Sequence, residues 1–247
     1  MPKKLDYSAV WTDAMALLRG HLEAVVAIAG FFLFAVTWGF ALLVPEPSLE
    51  GTTTLTDIVA ILRTHFAANW MVIIPVALVG SYGGFVIYVL LTEQNLAKVG
   101  DALTVALSRF LPYFVASLLT GWLTLLGLAI FLVPGLYLVA RFVVLPALMA
   151  TNGHLGITGS IKAAWTTTAG VGWATFFLLF VVALVTWLIS LVASLLIGLL
   201  CVLMAGPGGI PVIETGFAAL FSTAQGVIFI ALIVAIYRQL KPQAPRL

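Results

Sequence analysis

Apolar residues run for long uninterrupted distances along most of this chain, and the polar positions between them are grouped and patterned. The stretches 22–44, 70–91, 111–133, 173–204 and 217–237 each reach the roughly 20 residues that a helix rising about 1.5 Å per residue needs to cross a hydrocarbon core about 30 Å thick. A sixth, 136–150, reaches only about 22 Å and reads either as a short span or as a re-entrant hairpin. Between these stretches lie three mixed segments with helical periodicity. In 5–20, Tyr7, Val10, Trp11, Ala14, Leu17 and Leu18 fall on one face, opposite Asp6, Ser8, Asp13 and Arg19. In 92–109, Val99, Leu103, Ala106 and Leu107 oppose Lys98, Asp101, Thr104 and Ser108. In 151–170, Ile157, Ile161, Ala164 and Trp165 share a face and Lys162 is among the polar positions. The pattern predicts three amphipathic helices lying along a membrane surface. Residues 48–65, the most polar part of the chain, read as a loop outside the membrane with a short helix at 56–65.

Composition agrees with this pattern and narrows the class. The 247 residues are 63% hydrophobic and 8% charged, with a mean hydropathy of +1.20. A soluble domain carries about 25% charged residues, so this chain lacks the polar groups to cover a globule. Long runs rather than short alternating segments exclude a transmembrane barrel. The reading is an all-α polytopic membrane protein in a single integral domain, 1–247. No apolar segment with a small-residue cleavage site opens the chain, so the first span is expected to remain. Cys201, the single cysteine, has no partner for an intrachain disulfide and reads as a small core residue.

Charge placement supplies the topology. If 136–150 crosses, there are six spans, and Lys3, Lys4, Arg19, Lys98, Arg109, Lys162, Arg238, Lys241 and Arg246 share one side while Arg63 lies opposite. The positive-inside rule assigns the crowded side to the cytoplasm, with both termini there. A hairpin at 136–150 would move Lys162 and the basic C-terminus outside, which favours the crossing. Units of surface helix, outward span, loop and returning span then recur at 5–92, 93–150 and 151–238 as a weak threefold repeat. Glycines Gly80 and Gly84 share a face of the second span, and Ser190, Ser194 and Gly198 one of the fifth; both read as helix-packing ridges.

The densest concentration of unusual residues is Val133-Pro134-Gly135, then Arg141, then Pro146, followed by Ser160, Trp165 and Thr168. This pattern resembles the YciC-like family of bacterial inner-membrane proteins and the membrane domain attached to some glycerophosphodiester phosphodiesterases. The resemblance in motif covers about 133–170. It implies a helical inner-membrane protein and supplies no activity, and this chain carries no phosphodiesterase domain. Read from the residues, Pro134, Gly135 and Pro146 are helix-breaking corners. Arg141 is a lone cation in an apolar span, where an unpaired charge costs roughly 2.5 to 3.5 kcal/mol on the insertion scale. Counted from Gly135 it lies about 9 Å below the outer corner, within snorkelling reach of outer headgroups. Glu214, at the outer entrance of the last span, is the acid topology places best for it. Arg141, Tyr137 and Glu214 form the candidate set for contact with lipid or substrate, the guanidinium fork suiting a phosphate. Backbone carbonyls freed near Pro134, together with water, are the structural alternative.

Other chemistry is missing from the pattern. His21, His65 and His154 sit singly at segment boundaries, and no metal-spaced pair, nucleophile elbow, phosphate loop or intramembrane pair of acids is present. No catalytic residue, metal or cofactor is assigned, and the dispersed basic residues give nucleic-acid binding no support. Two functional classes remain. One is a non-enzymatic envelope protein engaging membrane lipids, a partner membrane protein or a second copy of itself. The other is a small transporter or lipid-handling permease with a site near the broken helices at 134–146.

Overall fold

The computed structural model describes residues 4–44, 47, 48, 52, 54–93, 99–206 and 209–241. Lys3, Lys98 and Arg246, which entered the topology argument, lie outside them. Among the described residues every regular element is helical, and six segments are long and apolar enough to cross a membrane.

α1 (Tyr7–Gly20) starts where the Asp6 carboxylate accepts a hydrogen bond from the Ala9 amide at 3.0 Å, a side-chain N-cap. The first span, Leu22–Leu43, is α2 (Leu22–Ile28), a π-helical turn (Ala29–Ala35) and α3 (Val36–Leu43). α4 (Leu55–Thr92) opens with a reciprocal capping box between Thr54 and Asp57. α5 is Val99–Ile130. The fourth span, Leu132–Thr151, is α6 (Leu132–Phe142) and α7 (Leu145–Thr151), separated by a turn at Val143 and Val144. A short 3-10 turn leads to α8 (Gly156–Thr167), followed by α9 (Gly172–Ala205) and α10 (Pro211–Leu240).

Several expected boundaries are absent. Residues 55–65, expected as loop with a short helix at 56–65, are instead the first turns of α4, which is about 57 Å long by helical rise; of the expected loop at 48–54, residues 49–51 and 53 lie outside the described residues. Its polar residues Asp57, Arg63 and His65 alternate with exposed Leu55, Val59, Leu62 and Phe66, so a helix face resembled a loop. The second surface helix is not separate either, because α5 runs through the expected break near Leu111 with Pro112 inside it. Thr104 and Ser108 satisfy their hydroxyls on the carbonyls of Gly100 and Val105, which leaves the helix no reason to stop. The corner expected at Pro134–Gly135 falls at Phe131, whose backbone is extended (φ −156°, ψ 143°). Pro134 occupies the first turn of α6, where its missing N–H leaves nothing unpaired. The break before Pro146 lies where expected, with the proline in the first turn of α7.

The fourth span returns antiparallel beside α5. A Cβ added to Gly127 or Gly135 would overlap the opposite helix at one end, and the Arg109 guanidinium meets the Ala150 carbonyl at the other. Asn152 then donates to the Tyr237 hydroxyl at 3.0 Å, Arg238 pairs with Asp13 at 3.3 Å, and α1 packs along α10. The start of the first helix and the end of the last therefore share one end of the molecule, and that end also carries Lys4, Arg19, Arg109, Lys162 and Lys241.

The core gathers at this end. Residues 85–91 of α4, 144–150 around α7 and 230–237 of α10 are buried with almost no break, except the half-buried Pro146. Val10, Ala14 and Leu17 of α1, Ala102 and Ala106 of α5, and Ser160 and Ala164 of α8 close over them. Within 5–92, 93–150 and 151–238, the opening helix of each stretch leans on the returning span of the one before it. α5 packs on α4, α8 on α7, and α1 closes the ring on α10.

The two expected packing ridges make few contacts. At Gly80 nothing lies within 4 Å of an added Cβ and at Gly84 only Ile230 of α10, at 3.9 Å, whereas one at Gly83 would overlap Phe32 of the π turn, so Gly83 is the close approach. Gly198 likewise faces open space, and Ser194 is exposed.

Candidate functional site

The site is built where α8 turns into α9. Thr168 lies in that turn, and its hydroxyl donates to the Arg141 carbonyl at 3.0 Å, tying the turn to α6. Gly172 opens α9 against the aliphatic stem of Arg141, 3.4 Å from an added Cβ to Arg141 Cδ. A β-branched side chain at 172 would push the arginine out of place.

Arg141 is 4% exposed and its Nε–H is buried with no hydrogen-bond partner. Aromatic faces surround it instead. Its guanidinium carbon lies 4.2 Å from the Trp165 ring centroid and 5.7 Å from that of Tyr137. Tyr137 meets Trp165 edge-on at 6.0 Å, Phe142 packs against Trp165 at 5.7 Å, and Tyr137 also touches Trp173. Two rings give a desolvated cation an attraction of about 2 kcal/mol or more at such distances, which offsets part of the burial cost and supplies no acceptor for Nε–H. One turn into α9, the fully buried Thr175 hydroxyl is also without a partner.

Two expectations about this arginine change. Arg141 is packed beside α8 and the start of α9, so it does not snorkel toward the opposite corner. Glu214 is far away: its carboxylate accepts from the Ile210 amide at 3.2 Å and abuts Gly209, which lies beside Cys201. The 29 helical steps from Gly172 to Cys201 rise about 44 Å, so Arg141 and Glu214 stand at opposite ends of α9 and form no pair. Tyr137 does join Arg141. Pro134 is exposed and Pro146 half-buried, and Gly135 serves the α5–α6 corner rather than the arginine.

Trp165 is the residue that sequence reasoning placed on a surface face and did not connect to Arg141. Its spacing from Ile161 marked it as amphipathic, but nothing in a single sequence says that α8 folds back along α7. Trp165 also lines a groove of about 290 Å³ with Phe142, Thr158, Ile161 and Lys162. A second groove, about 370 Å³ and bounded by Phe34, Trp38, Val212, Gly216 and Phe217, lies at the other end of the molecule, where Trp38 donates to the Val212 carbonyl at 3.2 Å.

Among the described residues no cluster of His, Cys, Asp or Glu could hold a metal ion. No protein-family model, curated protein or solved structure matches the chain.

Proposed function

We propose that this is a non-enzymatic multi-pass protein of a bacterial inner membrane, with both termini cytoplasmic, that engages membrane lipids or a partner membrane protein. The observation that carries the reading is Arg141, a buried guanidinium with an unpartnered Nε–H, held by aromatic rings and by no carboxylate. A lipid phosphate, whose oxygens accept charge-assisted hydrogen bonds, is the acceptor it lacks. α1, α8 and the first turns of α5, which close over the core, are read as standing at the cytoplasmic end, and kinship with the YciC-like family belongs to the same proposal.

Lipid mass spectrometry on purified wild type, Arg141→Lys and Arg141→Met tests the reading. Arg141→Lys is expected to fold and to retain less lipid, and Arg141→Met less again; equal lipid in all three sinks it. For orientation, cysteines at Val59 and at Thr166 in a Cys201→Ser background report the two ends of the molecule. An impermeant thiol reagent on spheroplasts is expected to label Val59 and spare Thr166, and the reverse would invert the topology.

The breaks at Phe131 and at Val143–Val144 favour a second reading, a lipid-handling permease with its site in the interrupted fourth span. A transport path needs polar lining, and this span offers Arg141 alone among charged groups.

A further inference from the structure

Resting on the lipid reading above, we infer that the α8 groove holds an anionic phospholipid, its chain against Phe142, Ile161 and Trp165 and its phosphate at Lys162.

Charge balance comes first. From residue 102 to residue 213 the chain contains no Asp or Glu, yet it carries Arg109, Arg141 and Lys162. Arg109 draws its counter-charge from Glu93, at 2.9 Å, and from the Ala150 carbonyl. Arg141 and Lys162 form no ion pair among the described residues; of the helices packed on α8, α6 and α7 carry no acid and α5 carries only Asp101, in its first turn. Two cations without acids therefore flank one indole, Arg141 against its ring and Lys162 beside it in the wall of the groove.

Shape comes second. The groove is lined almost wholly by apolar atoms, from Phe142, Ile161 and Trp165 and from the aliphatic parts of Thr158 and Lys162, and Lys162 is exposed at its edge. That is the division of a lipid at the boundary between acyl chain and headgroup, where an amphipathic helix presents apolar rings to the chains and lysine to the phosphates. A soluble anion would leave the apolar wall unused. A zwitterionic lipid would fill the wall and leave the net positive charge unbalanced. Repulsion between Lys162 and the buried Arg141 is relieved by a net negative headgroup and not by a zwitterionic one.

Trp165 reports on its own groove. The full-length protein is reconstituted into phosphatidylcholine vesicles containing brominated phosphatidylglycerol, and in a second series into phosphatidylglycerol vesicles containing brominated phosphatidylcholine. The emission difference between wild type and Trp165→Phe isolates quenching at Trp165 from that at the other tryptophans. Brominated phosphatidylglycerol is expected to quench Trp165 at lower mole fraction than brominated phosphatidylcholine. Lys162→Gln should cut that preference by about fivefold, and Lys162→Arg should keep it. Equal quenching by the two lipids, or a preference unchanged in Lys162→Gln, overturns the assignment, as does a preference abolished by added inorganic phosphate at constant ionic strength. Lys162 is exposed, so these variants leave the core intact, and elution in size exclusion verifies it. If Arg141→Met strips lipid while Trp165 shows no headgroup preference, the groove assignment falls and the lipid reading stands; if neither responds, both fall.

Discussion

The three outgoing spans and the three returning spans have similar hydropathy and different surroundings. In the most apolar part of each, the outgoing first span, α5 and α9 are 17%, 22% and 6% buried, while the returning α4, fourth span and α10 are 33%, 44% and 50% buried. α9 has the highest hydropathy of the six and the least burial. Hydrophobicity therefore does not report the interior here. In lipid an apolar side chain gains little by leaving one hydrocarbon surface for another, so packing decides which helices gather. The returning spans bring small and close-fitting residues to one end, such as Gly83, Ala147, Ala150, Ala231 and Ala235. The outgoing spans carry Leu, Phe and Val outward, with Leu195 65% and Leu199 56% exposed.

The largest expected effect tests that contrast directly. Leu232→Ala, at 0% exposure in α10, should lower the free energy of unfolding by about 2–5 kcal/mol, against about 0.5 kcal/mol or less for Leu195→Ala in α9. Unfolding in mixed micelles measures both, and equal losses would erase the distinction. Next, Gly83→Val forces a side chain into Phe32 of the π turn and should cost about 1–3 kcal/mol, whereas Gly80→Val, facing open space, should be nearly silent in the same assay. The smallest effect belongs to the bond between the classes. Gln225 of α10 donates to the Thr186 hydroxyl of α9 at 2.9 Å, and Thr186→Val should cost about 0.6 kcal/mol, the average for such bonds inside membranes. A loss several times larger would mean that α9 depends on its returning neighbour more than its exposure implies.

What the sequence made legible follows from the same physics. Six apolar runs separated by short polar breaks are a length requirement, so the number of spans and the shared end of both terminal helices were readable. The continuity of α4 and α5 was not. Asp57, Arg63 and His65, or Asp101 and Ser108, look the same whether a helix ends or merely leaves the apolar region. Glycine spacing pointed to Gly80 and Gly84 because a four-residue interval defines a face, but the face that meets Phe32 holds Gly83, and only the π turn of another helix selects it. Arg141 was legible as the odd residue of its span. Its setting was not, since that depends on a chain reversal at Thr168 and on an indole 24 positions away.

The π turn at Ala29–Ala35 bears on how this chain tolerates changes in length. Its hydrogen bonds close around one more residue than those of an α-helix, so the first span holds a residue in excess of what its two flanks need. Removing Gly30, which has nothing within 4 Å of an added Cβ, should let the turn tighten into ordinary helix. Val25 and Ile28 would keep their face on one side, and Trp38 its bond to Val212 on the other. The same deletion at Gly226 in α10 has no such slack, and would rotate every later side chain by about 100°, carrying Tyr237 away from Asn152 and Arg238 away from Asp13. The two ends of one membrane helix can thus be uncoupled in register at a single place, and chains differing by one residue there can share this architecture.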